Sequence, residues 1–79
     1  MPAPAFHSYA DGPVAHAAYR RAVLAYGPDD PNTLNLRALV ELRQGEARRS
    51  LQTCLQAIKA DPRNGSLWEC LGWVKHELG

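Results

Sequence analysis

The chain has 79 residues, with nine basic against eight acidic side chains and a formal charge of +1; that length holds one small domain with a thin core, and the balance supplies no long-range field for nucleic acid or anionic membrane. Hydrophobic residues make up 46% of the chain, too many for a chain disordered throughout. Two cysteines are too few for a disulfide framework or a four-ligand metal site, and no segment approaches the ~20 apolar residues of a membrane span.

Residues 1–12 carry two prolines, a glycine and no periodicity, and read as a flexible or loosely docked N-terminal arm, with Phe6 and Tyr9 either pinning it to the body or playing no part. The opening Met1-Pro-Ala-Pro-Ala-Phe6 has neither the basic start nor the apolar run of a secretory signal. Asp11-Gly12-Pro13 is a helix start, with Asp11 as cap and proline in the first turn. The helix it opens spans about 13–26, with Val14, Ala15, Ala18, Tyr19, Ala22, Val23 and Tyr26 on one face. Gly27-Pro28 ends it.

Asp29-Asp30-Pro31-Asn32-Thr33 is a turn rich in capping residues. A second helix over 32–43 places Leu34, Leu36, Leu39, Val40 and Leu42 on a face wider than one stripe, as expected of a helix covered on two sides. Gln44-Gly45 breaks the pattern. A third helix over 46–60 turns Ala47, Leu51, Cys54, Leu55 and Ile58 inward, with Ser50 and Ala57 as small contact positions, and Asp61-Pro62 stops it. After the turn Arg63-Asn64-Gly65-Ser66, where Asn64 or Ser66 is the cap, a fourth helix over 66–78 carries Leu67, Trp68, Leu71, Val74 and Leu78. No alternating strand pattern appears. The fold class is all-α, with connections short enough to make successive helices antiparallel.

Leu34 and Trp68 are 34 residues apart, the period of a helix-turn-helix solenoid repeat. On these residues the chain resembles the tetratricopeptide repeat family. Counted from Pro31, Leu34 stands at the family's tryptophan position, Ala38 at its small packing position and Gly45 at the turn. Ser50, Cys54 and Ala57 stand at the small, aromatic and small positions of the second helix, and Pro62 at the closing proline. Trp68, Leu71 and Gly72 match the start of the next unit, and Ala15, Tyr19 and Ala22 match the end of a preceding one. Small residues at these positions let helix axes approach to ~8–10 Å. The chain departs from the pattern at Arg37, where the family has a core leucine and Leu36 stands one place early. The first link also carries about one extra residue at Gly27–Pro31.

The resemblance, which covers residues 13–79, implies hairpins stacked as a short right-handed solenoid: half a repeat, one full repeat and another half. It implies a concave groove lined by Asn32, Asn35, Leu39 and Arg43 from one unit and by Ser66, Glu69, Trp73 and His76 from the next. It also implies an uncovered face on the fourth helix, formed by Leu71, Val74 and Leu78, where a partner helix or a second copy would dock. Family analogy extends this to an adaptor, assembly factor or chaperone of the bacterial cytoplasm that takes a peptide or helix of another protein.

No enzyme or cofactor is expected. His7, His16 and His76 are scattered, without metal-ligand spacing. Cys54, on an inner face, reads as an inert packing thiol, and Asp29-Asp30 as turn chemistry. Both cysteines lie in helical patterns, which fits a reducing, cytoplasmic setting. Two other readings stand beside the interaction module. One is a structural piece of a longer helical array; the other is nucleic-acid binding through Arg20-Arg21 and Arg48-Arg49, against which the charge balance argues.

Overall fold

A computed structural model describes residues 12–79, with side chains from Val14 onward. It contains four helices: α1 (Gly12–Tyr26), α2 (Pro31–Arg43), α3 (Ala47–Ala60) and α4 (Gly65–Leu78). No strand occurs among the described residues, so the fold is all-α. Links of three or four residues send each helix back along its predecessor. α1 packs on α2, α2 on α3 and α3 on α4, and α2 also touches α4. The expected arm over 1–12 and the Asp11 cap lie outside the described residues, apart from Gly12, which opens α1.

The helix ends follow from capping chemistry. The Asp30 carboxylate accepts a hydrogen bond from the Asn32 backbone N–H at 2.9 Å, with Pro31 at the first helical position. Thirty-four residues later the Asn64 side chain accepts one from the Ser66 N–H at 3.1 Å. Each bond satisfies an amide that has no partner within the helix. These caps start α2 at Pro31 and α4 at Gly65, one residue before the sequence pattern places them, while α3 starts at Ala47 rather than Glu46. Gly27 and Gly45 close α1 and α2 at φ 91° and 82°, the left-handed region that side chains with a Cβ rarely adopt.

The core is built from Leu34, Ala38 and Leu39 of α2, Cys54, Ala57 and Ile58 of α3, and Leu67, Cys70, Leu71 and Val74 of α4, with Leu36, Leu42 and Leu51 packed partly against it. Full burial of leucines such as Leu34 and Leu67 stabilises by about 1.5–3 kcal/mol each. α1 adds buried Ala15 and Ala22. Polar side chains fasten the helices between these contacts. The Thr33 hydroxyl donates to the Ala22 carbonyl of α1 at 3.2 Å, and the Ser50 hydroxyl donates to the Ala38 carbonyl of α2 at 2.6 Å. The Thr53 hydroxyl donates to the buried Glu41 carboxylate at 2.6 Å, whose second oxygen takes the Arg37 guanidinium at 3.4 Å.

Several expected packing positions come out differently. Leu55 is exposed, because Ser50 and Thr53 turn their hydroxyls to α2 and so fix the rotation of α3. Val14 and Tyr26 of α1 are exposed too. Arg37 faces solvent while Leu34 and Ala38 stay buried, so the departure at Leu36-Arg37 leaves the α2 core positions in place. The links at 27–30 and 61–64 are equally long, so neither carries an extra residue. The one-residue offset is in the rotation of α1: the caps recur at 34, whereas Ala15 and Ala22 share burial with Ser50 and Ala57 at 35.

Candidate protein-binding face

The contact between α2 and α4 brings side by side two helices that stand one 34-residue period apart. The α4 stripe of Ser66, Glu69, Trp73 and His76 is solvent-facing throughout, on the side of the helix away from Leu67, Cys70, Leu71 and Val74. Trp73 is 40% exposed and has an interaction partner. On α2, Asn32 and Arg43 are exposed at the two ends, and Asn35 is half-buried between them. The Asn35 Oδ1 is enclosed and meets no hydrogen-bond donor among the described residues.

Leu39, expected on the groove surface, is instead 3% exposed. It joins the core cluster with Leu67, Cys70, Leu71 and Val74 of α4, so the packing of α4 removes it from any contact surface. The expected terminal face changes in a similar way. Leu71 is 6% and Val74 0% exposed, and of the three only Leu78 is open, at 43%. Leu71 and Val74 share the helix face of Leu67 and Cys70, and that face is the one buried in the core.

The open sector of α4 holds Trp68, Gly72 and Lys75. Its counterparts 34 residues earlier, Leu34, Ala38 and Glu41, are all buried, with α3 bonded to Ala38 and Glu41. Among the described residues, no atom beyond the adjoining α4 backbone lies within 4 Å of where a Gly72 Cβ would stand. Trp68 is 52% exposed, and its indole N–H donates to the Pro62 carbonyl at 2.7 Å, which ties the ring to the α3–α4 turn. The 34-residue spacing was the signal for this sector; apolar content pointed to Leu71 and Val74 instead.

Sequence reasoning also missed the meeting of Cys54 and Cys70, whose sulfurs lie 3.4 Å apart in the core. Periodicity assigns each to an inner face and carries no information on which residues of two helices touch. Among the described residues no group of three or more His, Cys, Asp or Glu gathers as metal ligands, and no helix is long and apolar enough to cross a membrane. A shallow open depression has its described lining wholly on α1, from Tyr19, Arg20, Val23 and Leu24. The chain matches no protein-family model, no curated protein and no solved structure.

Proposed function

We propose that this chain is a non-catalytic protein-interaction module of tetratricopeptide-like design, an adaptor, assembly factor or chaperone of a reducing cytoplasm. It takes a peptide or helical segment of another protein across α2 and α4. The observation that carries the reading is the pairing of these helices one period apart, with Asn32, Arg43, Ser66, Glu69, Trp73 and His76 left solvent-facing on them. The face mixes an aromatic ring, an arginine, a carboxylate and amides, the residue types that anchor and orient a polypeptide. Leu39 is buried in the core and makes no contact itself.

Partner capture by the wild type, Arg43→Glu and Trp73→Ala tests this reading, with circular dichroism to confirm that each variant is folded. The reading predicts a partner held by the wild type and reduced about tenfold or more by either variant, in line with loss of an interface anchor. Equal recovery by all three overturns it.

A second reading is favoured by the open Trp68-Gly72-Lys75 sector. There the chain is a structural unit whose α4 receives a further helix, from a longer array or a second copy, in the place α3 takes on α2. A mass equal to the monomer at high concentration in light scattering contradicts the self-association form.

A further inference from the structure

We propose that Cys54 and Cys70 form a reversible disulfide-forming site, oxidised by a low-molecular-weight disulfide, which bonds α3 to α4 covalently. The two sulfurs stand 3.4 Å apart, sixteen residues apart in sequence, in the core where α3 packs on α4. A disulfide bond is ~2.05 Å long, so closure needs an approach of about 1.4 Å. The chain has no other cysteine, so intramolecular pairing has one outcome. Both side chains are 1% exposed, and the oxidant gains access as α4 lifts. α4 is the helix placed to do so, because its Trp68-Gly72-Lys75 sector has no cover among the described residues.

The thiols are not equivalent. The neighbouring Cys70 thiol, donating to an ionised Cys54, lowers the Cys54 pKa against the opposing effect of burial. The same pairing, together with burial, pushes Cys70 far up. Cys54 is therefore the attacking thiolate. Its sulfur bonds to one sulfur of the small disulfide RSSR, the S–S bond of RSSR breaks, and RS⁻ leaves and takes a proton from water. Cys70 then gives its proton to solvent and its sulfur attacks Cys54 Sγ, releasing the second RS⁻, which is protonated in turn. The two cysteines lose two electrons, and one RSSR becomes two RSH. The product holds α4 on α3 and removes the lifting motion. This inference stands independently of the binding reading.

The reduced protein, equilibrated in glutathione and glutathione disulfide, alkylated and weighed by mass spectrometry, decides the matter. The expected product is a monomer lighter by two hydrogens, with no alkylatable thiol, that dithiothreitol restores. At one glutathione ratio, the oxidised-to-reduced ratio should be at least about tenfold higher in native buffer than in concentrated denaturant, since a native structure that positions the pair favours its bond. The oxidised form should melt on the order of 10 °C higher. Cys70→Ala should stop at the glutathione adduct of Cys54; if that variant does not fold, the wild-type comparison decides alone. Glutathione adducts or intermolecular dimers as the sole wild-type products, or no native preference over denaturant, overturn the proposal.

Discussion

Thr53 shows how much one hydroxyl decides in a core this small. Its single proton has two acceptors in reach, the Glu41 carboxylate at 2.6 Å and the Arg49 carbonyl at 3.1 Å, and the shorter bond to a charged oxygen is the stronger. Thr53→Val keeps the shape and leaves the buried carboxylate short of a donor. The expected cost is about 1–3 kcal/mol, read from the midpoint of denaturant unfolding. Asn35 is the opposite case. Its enclosed Oδ1 has no donor to lose among the described residues, and alanine is the better helix former. Asn35→Ala is expected to be neutral or to stabilise by up to about 0.5 kcal/mol, measured in the same way; a loss above 1 kcal/mol would show that the amide makes a bond that matters for folding. Neither role could be read from the sequence, where Thr53 is a polar interruption of an apolar face and Asn35 an ordinary groove position.

Among the elements, α2, α3 and α4 were the most legible, because their boundaries are written in residues with few alternatives. Gly45 at φ 82° ends α2, Pro62 follows α3, and Asp30 and Asn64 supply the caps. Asn64→Ala removes the side-chain acceptor at the start of α4 and is expected to cost about 1 kcal/mol, with hydrogen exchange rising first in the opening turn of α4. Helix rotation was far less legible. Leu55 reads as core and is exposed, and Leu71 and Val74 read as an open face and are buried. Rotation about a helix axis is set by contacts distant in sequence, here Ser50 with Ala38, Thr53 with Glu41 and Cys54 with Cys70. Apolar periodicity is blind to hydroxyls and thiols that point inward.

For the whole molecule, the four helices form a series rather than a bundle around one axis. Each packs on the next, and α2 also reaches α4. A series of this kind leaves an outer surface at each end, and the exposed large apolar side chains include Leu24 and Tyr26 on α1 and Trp68 and Leu78 on α4. The 34-residue period made the series legible. What it could not supply was the share of each expected groove position taken by packing, which removes Leu39 and leaves Asn32, Arg43, Ser66, Glu69, Trp73 and His76 at the surface. The central claim is that this α2–α4 face holds a polypeptide. Its most direct test is a peptide selected from a random library against the folded chain and mapped by amide chemical-shift perturbation. The account predicts that the largest shifts fall on Asn32, Arg43, Ser66, Glu69 and His76 and that Arg43→Glu weakens binding about tenfold or more, the loss of an anchor contact. Shifts confined to the outer face of α1, or a binding constant unchanged by Arg43→Glu, would contradict it.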